Sequence, residues 1–187
     1  MDIFEGVDIT RYTPHKRARI GIGRAFQIPS SFLGMSVRES VAVGALFGMT
    51  AGNISVDDAL KTADKILKIV GLYEKRLELA GKLTGPEKKL LELARAIAMK
   101  PKLLLLDEVM AGMPPSEIDR LSKIVRDLAE EGVSTVSLVE HVMRTVAKIA
   151  VRALVLYRGE IVIEGPVEEI LRSDRLREIY LGAGRVP

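Results

Sequence analysis

Two apolar segments in the second half of the chain are each followed by residues that could do chemistry. Asp107 and Glu108 come directly after residues 103–106, and His141 comes just after residues 133–139. In open parallel sheets, ligands bind beyond the carboxyl ends of the strands. If the two segments are neighbouring strands, these side chains share one edge of the sheet. Asp107 would then hold Mg²⁺, Glu108 would polarise an attacking water, and His141 would contact developing negative charge.

Each of these features also has a simpler structural interpretation. An Asp–Glu pair after a strand is commonly the start of a loop, and a single histidine at a strand end is commonly structural. Gln27, the only glutamine of the chain, lies in a segment rich in turn residues. Two strand ends that carry such groups, together with this glutamine, favour a functional site.

The second half of the chain alternates between apolar strands and amphipathic helices, which indicates an α/β fold with a parallel sheet. Residues 103–106 are all leucine, as expected for a strand buried on both faces, and residues 133–139 predict a second buried strand. A hairpin is predicted to turn at Arg158–Gly159, and two short helical pieces follow it. The helix between the two strands is predicted to stop at Gly132 and to turn these residues inward: Ile118, Leu121, Val125 and Leu128.

Residues 37–100 are predicted to be helical. The clearest helix begins at Ser55, whose hydroxyl can cap it, and ends at Gly71. Its predicted inward face consists of Ala59, Ala63, Ile66, Leu67 and Val70. Another helix follows Thr84, which with Glu87 fits a capping box. The same helix N-terminus would attract phosphate.

The first residues predict little regular structure. Residues 1–9 alternate as a strand does, with a turn at Gly6, and residues 14–21 suit a short helix that starts at a proline. Residues 23–36 contain turn residues throughout and are predicted to be a loop.

Composition excludes several functions. The net charge is only +3 and aromatic residues are 4% of the chain, so neither a basic footprint nor a stacking surface for nucleic acid is expected. No cysteine is present, which rules out disulfides and thiol chemistry. Residues 41–49 are the longest apolar stretch, far short of the ~20 that a membrane helix needs. We therefore expect a cytoplasmic chain that does not insert in the membrane. The scarcity of Asn and Gln is typical of proteins from hot environments.

Four motifs occur in an order that resembles a known family. The four motifs lie in three segments, of which the second contains two motifs: GIGRAFQIPSSFLGMSVRESV, KLTGPEKKLLELARAIAMKPKLLLLDE and LVEHVM. They resemble the ATP-binding subunits of ABC transporters over nearly the whole chain. The ending IEGPVEEILRSDRLREIYLG resembles the branch that takes up branched-chain amino acids.

The resemblance implies a fold and a mechanism. The fold would be α/β, with a partial P-loop NTPase sheet of the ABC type and a helical subdomain. Residues 1–36 would hold a remnant of the N-terminal part and the Q-loop, residues 37–100 the helical subdomain, and residues 101–187 the α/β core. Two such subunits sandwich two ATP molecules and drive transporter membrane subunits from the inner face of the membrane.

The resemblance also implies roles for single residues. Glu108 and His141 would be catalytic, and Asp107 and Gln27 would bind Mg²⁺. The nucleotide-binding set would be Gln27, Thr84, Gly85 and Asp107. The segment 113–117 corresponds to the D-loop.

The chain departs from the family in several places. No G-x-x-x-x-G-K-[S/T] phosphate loop occurs in the 187 residues. Residues 83–87 correspond to the family's signature motif. There Pro86 removes a backbone N–H and Glu87 puts an anion near the phosphates. Val109 and Pro114 also replace residues usual in the family.

The departures leave three hypotheses. In the first, the chain is an N-terminally truncated ATPase subunit that is inactive alone. In the second, it is a non-enzymatic partner or regulatory subunit that binds protein without hydrolysing ATP. An unrelated Mg²⁺-dependent phosphohydrolase is the third.

Overall fold

The structure is a computed structural model that describes residues 1–27, 32–130, 133 and 135–181. The strands in this part are β1 (Ile3–Phe4), β2 (Val7–Asp8), β3 (Ile22–Ala25), β4 (Leu103–Asp107), β5 (Thr135–Val139), β6 (Arg152–Tyr157) and β7 (Glu160–Pro166). The helices are α1 (Pro14–Arg19), α2 (Val37–Phe47), α3 (Val56–Val70), α4 (Gly85–Ala98), α5 (Pro115–Glu130), α6 (Met143–Ile149), α7 (Val167–Arg172) and α8 (Asp174–Leu181). The chain divides into two units, Met1–Val139 and Glu140–Pro187.

The first unit contains a parallel sheet in the order β3-β4-β5, with β4 in the centre. The predicted parallel sheet is therefore confirmed. The prediction that residues 23–36 form a loop is wrong at its start, because β3 pairs with β4 there. In the sequence of β3, Gly23 interrupts the alternation of apolar and polar residues. The strand packs closely there, because a Cβ atom at Gly23 would lie 3.0 Å from the Pro101 side chain. Residues 28–31 of the predicted loop lie outside the described residues.

The prediction that β4 and β5 are buried on both faces is only partly correct. Leu104 and Leu106 are buried, whereas Leu103 and Leu105 are half-buried. In β5, every second side chain is exposed. A parallel strand is buried on both faces only where helices cover both of them. In the first unit, one face of β4 is closely packed and β5 is an edge.

The helical segment follows the sequence pattern closely. The N–H of Asp58 donates to the Ser55 hydroxyl at 3.1 Å and starts α3, and Gly71 ends it with a φ of 67°. Ala59, Ala63, Ile66, Leu67 and Val70 are all buried, as predicted. Helix α2 packs against both α3 and α4, so the three helices form one packed group.

Helix α5 and the hairpin also agree with their patterns. Leu121, Val125 and Leu128 of α5 are buried, and Ile118 is half-buried. Gly132 lies outside the described residues. In the second unit, β6 and β7 pair antiparallel around a turn at Arg158–Gly159, where both φ angles are positive, as predicted. No helix in the described part of the chain has the length and apolarity needed to span a membrane.

Candidate functional site

The ends of β3 and β4 bring Gln27 and Glu108 into contact. The Nε2 atom of Gln27 donates a hydrogen bond of 2.6 Å to Oε2 of Glu108, across 81 residues of sequence. The parallel register explains this contact, because Ala25 is paired with Leu106 and the two residues follow these positions by two. A primary amide that donates through nitrogen keeps its oxygen as a ligand atom.

A second cross-strand contact lies beside the first. The Nη2 atom of Arg24 forms an ion pair of 2.8 Å with Oδ2 of Asp107. The guanidinium also lies 4.5 Å from the centre of the Phe26 ring, within cation–π distance. Sequence reasoning missed Arg24. The pairing of β3 with β4 is the signal that identifies Arg24, because this pairing brings Arg24 near Asp107 at the end of β4.

The backbone of Glu108 adopts an uncommon conformation. Its φ is 47°, in the left-handed region that non-glycine residues rarely occupy. Its N–H donates to the carbonyl of Val139 at 3.0 Å, which extends the pairing of β4 with β5 past Asp107. Strained backbone of this kind persists where the surroundings hold it and is common at functional sites.

His141 follows Val139 by two residues and belongs to the second unit. Its approach to Glu108 stays a prediction, because each unit is described by itself.

Thr84 and Gly85 lie at a different place, the N-terminus of α4. The Thr84 N–H donates to Oε2 of Glu87 at 2.9 Å, and the two residues form the predicted capping box. The other oxygen, Oε1, is 2.7 Å from Nζ of Lys75. The hydrogen bond from Lys75, with those from Thr84, holds the pKa of Glu87 below its usual value. The carboxylate of Glu87 thus has its own counter-charge within the chain.

The start of α4 also contacts the loop that follows Glu108. The Lys89 ammonium donates to the carbonyl of Ala111. Gly85 and Pro86 line a small pocket together with residues 111–113. The segment after the two acids therefore contacts the first turns of α4.

The side chains at this site are of the kinds that bind magnesium. Asp107, Glu108 and Gln27 present oxygen atoms, which Mg²⁺ prefers, and Mg²⁺ is commonly held by one or two carboxylates plus phosphates. Among the residues described, no group of three or more His, Cys, Asp or Glu could hold a metal. Asp107, Glu108 and Gln27 therefore fit a Mg²⁺ ion whose remaining ligands are water or phosphate.

These features define a class of protein: an α/β nucleotide-binding fold with acids at the carboxyl end of its central parallel strand. The family model described as "ABC transporter" matches residues 2–111, more than half of the chain. The chain therefore belongs to the ABC transporter family, as an ATP-binding domain.

Individual relatives agree with this assignment. The lipopolysaccharide export ATP-binding protein LptB of Acidithiobacillus ferridurans is 33% identical over 175 residues, which cover 94% of this chain and 70% of that protein. The probable branched-chain amino-acid transport protein LivG of Archaeoglobus fulgidus is 34% identical over 188 residues, 96% of this chain and 73% of that one. A crystal structure of the ATP-binding cassette MJ1267 in its ADP conformation superposes with a TM-score of 0.77 and 28% identity, over 96% of this chain and 75% of that one.

The comparisons confirm the resemblance to ABC transporter ATP-binding domains and the fold class. They include export proteins as well as amino-acid transport proteins, so the branched-chain type stays a proposal.

Proposed function

We propose that this chain serves an ABC importer for branched-chain amino acids and couples ATP binding and hydrolysis to transport. The observation that carries the proposal is the hydrogen bond from Gln27 to Glu108, beside Asp107. It supports a shared site for the cation, the nucleotide and the attacking water. The likeness to LivG and the ending of the chain support the amino-acid class.

Each residue at this edge has a proposed role. Bound Mg²⁺ would neutralise negative charge on the phosphates of ATP. The carboxylate of Asp107 and the amide oxygen of Gln27 would hold the cation. Glu108 accepts a hydrogen bond from the attacking water and polarises it. His141 donates to the negative charge that develops on the terminal phosphate.

The N-terminus of α4 has a proposed role in a partner subunit's site. The Thr84 hydroxyl and the open space at Gly85, where a Cβ atom would meet no atom within 4 Å, would face the phosphates of ATP held by a second ATPase subunit. Lys75 offsets the charge of Glu87, which weakens the repulsion expected there.

Phosphate binding by these residues alone is expected to be weak. The chain matches about 70% of LptB, and its 187 residues contain no phosphate-loop motif. Each hydrogen bond to a charged phosphate is worth ~1.5–3 kcal/mol. We infer that these 187 residues bind ATP weakly by themselves and take part in hydrolysis only in an assembly that supplies a phosphate loop.

An exposed apolar surface supports docking to membrane subunits. We name it the 33/77 patch, after Leu33 and Leu77, whose exposed fractions are 61% and 73%. The two segments are held side by side, since Ser36 bridges to Leu79. Leu33 and Leu77 lie at the two ends of these paired segments, and Met35 and Leu79, which are 38% and 46% exposed, lie between them. A continuous row of exposed apolar side chains commonly marks a protein contact. A chain docked in this way would lie at the inner face of the cell membrane without inserting into it.

The test is ATP hydrolysis by the chain alone and by the transporter assembled with it. The chain alone is expected to show no turnover. In the assembled transporter, Glu108→Gln should lower turnover by ~10²–10⁴-fold with nucleotide binding retained. Glu74→Gln, which removes an exposed carboxylate elsewhere, should change neither. Equal turnover in Glu108→Gln and the unmodified transporter would contradict the proposal.

A non-enzymatic partner is the second candidate. The missing phosphate-loop motif favours it. It predicts that the chain binds the transporter through the 33/77 patch and that Glu108→Gln changes no activity of the assembly.

A further inference from the structure

Arg24 and Asp107 form a contact that the proposed catalytic scheme does not use. The guanidinium lies 2.8 Å from Oδ2 of Asp107, the carboxylate to which we assign Mg²⁺. A guanidinium cannot lose its proton near neutral pH and has no acceptor atom. It therefore competes with a metal ion for the same oxygen, and it can leave that oxygen only by moving.

The surroundings of Arg24 allow such a movement. Its side chain is 50% exposed and that of Asp107 is 36% exposed. Exposed ion pairs are weakened by solvent, so this one can open readily. Phe26 lies below the guanidinium and offers a contact that does not depend on Asp107. The arginine can therefore release the carboxylate and stay over the ring.

The contact between Arg24 and Asp107 lies next to the contact between Gln27 and Glu108. Arg24 and Gln27 are three residues apart, and they hold the adjacent acids Asp107 and Glu108 respectively. Residues 24–27 thus contact both acids through side chains. The pairing of β3 with β4 fixes the backbone of Arg24 and Ala25, so the side chain of Arg24 has to leave Asp107 while the strand stays in place.

We propose that Arg24 is a positioning residue that acts as a built-in counter-cation: it holds Asp107 in the metal-free state and is exchanged for the divalent cation when the site is loaded. The inference rests on the proposed function, because that function assigns the cation to Asp107. It adds a residue that sets the metal affinity of the site.

The test uses Mn²⁺ alone as the probe, since it prefers the same oxygen ligands as Mg²⁺. The ¹⁵N-labelled full chain is titrated, and paramagnetic broadening is followed at the amides of residues 106–108. Arg24→Gln should reach half-broadening at an about fivefold lower Mn²⁺ concentration, the fold-change expected when an exposed ion pair stops competing. Arg24→Lys keeps the charge and should remain within about twofold of the unmodified chain.

Two further variants make the result specific. Arg152→Gln removes an exposed arginine that pairs with Glu164 in the hairpin. It changes the net charge by the same amount as Arg24→Gln, but the Mn²⁺ concentration at half-broadening should not change. Asp107→Asn should abolish the broadening at these amides.

The outcomes separate this inference from the proposed function. Equal midpoints in Arg24→Gln and the unmodified chain, with broadening lost in Asp107→Asn, would overturn the role of Arg24 and leave the metal site in place. An equal shift in Arg152→Gln would reduce the effect to net charge and also overturn it. No broadening at residues 106–108 in any variant would overturn the proposed metal site and the exchange together.

Discussion

Gln27 and Glu108 are joined by a hydrogen bond of 2.6 Å at the carboxyl ends of two adjacent parallel strands. The donor is the chain's only glutamine, and the acceptor has a left-handed backbone conformation. A single side chain thus connects β3 to the residue that we propose to polarise water.

Removal of that side chain should affect activity more than stability. For Gln27→Ala we expect a loss of no more than about 1 kcal/mol in the free energy of unfolding, the usual value of one hydrogen bond. Turnover of the assembled transporter should fall by about 10- to 100-fold, as is typical when residues that orient a metal site are removed. Urea titration and ATPase assays measure the two quantities.

The matched control for this variant is Asn53→Ala. Asn53 is the chain's only asparagine and is exposed in a turn. Its truncation also removes a carboxamide but should leave turnover unchanged. A similar loss in both variants would contradict the role assigned to Gln27.

The 33/77 patch should be needed for assembly and not for folding. Leu77→Ser replaces a side chain that is mostly exposed, so the free energy of unfolding should change by less than about 0.5 kcal/mol. Co-purification with the membrane subunits should decrease clearly. Val151→Ser, at an exposed apolar position of the second unit, should leave co-purification intact. Equal binding of the Leu77→Ser chain would argue against docking at this surface.

The ion pair between Lys75 and Glu87 predicts a dependence of stability on pH. The pKa of Glu87 is lower in the folded chain than its ordinary value of 4.5. Its charged form therefore stabilises the fold above that pH, and the stabilisation is lost as the pH falls through the lowered pKa. Glu87→Gln keeps the bond to Thr84 but loses the ion pair. Its cost at pH 7 should be about 0.5–1 kcal/mol after solvent screening, and it should be smaller at pH 3.

Denaturation at the two pH values measures this effect. Glu74→Gln, an exposed glutamate of the same segment, is the control and should show no such difference. A cost of Glu87→Gln that is the same at both pH values would show that the charge of Glu87 does not stabilise the fold.

A side chain at Gly71 should lower the stability of the fold. With a φ of 67°, any other residue is strained, and a Cβ atom would lie 1.3 Å from a guanidinium nitrogen of Arg120. Gly71→Ala should lower the free energy of unfolding by about 1–2 kcal/mol, mainly through the backbone, because the arginine can swing aside. Urea titration gives the value.

Gly52→Ala isolates the backbone contribution. Its φ is 84° and a Cβ atom there meets nothing within 4 Å. The excess cost at Gly71 over Gly52 should disappear when Arg120→Ala is added. An excess that persists in the double variant would place the steric conflict elsewhere.

Local patterns predicted helices and turns well and predicted burial less well. All five inward residues of α3 were identified, because an amphipathic helix of four turns carries a strong periodic signal. The hairpin turn was found because Arg158 and Gly159 lie between two alternating segments. Strand β3 was missed because four residues with a glycine give almost no periodicity.

The site was predicted in part for a similar reason. Asp107, Glu108 and Gln27 stood out by type and by position after a strand. Arg24 did not, since its partner lies 83 residues away and only the register of β3 with β4 brings them together. The exposure of β5 depends on what covers a sheet, which a single strand's composition does not encode.

The edge position of β5 has a practical consequence for handling the chain. In the described residues, β5 has a neighbour on one side only, and Thr135–Val139 contains no charge, proline or glycine. Short β-branched segments of this kind, with a free row of backbone groups, stack readily into fibrils. We expect concentrated samples to precipitate through this segment, and Ser137→Lys should reduce the precipitation.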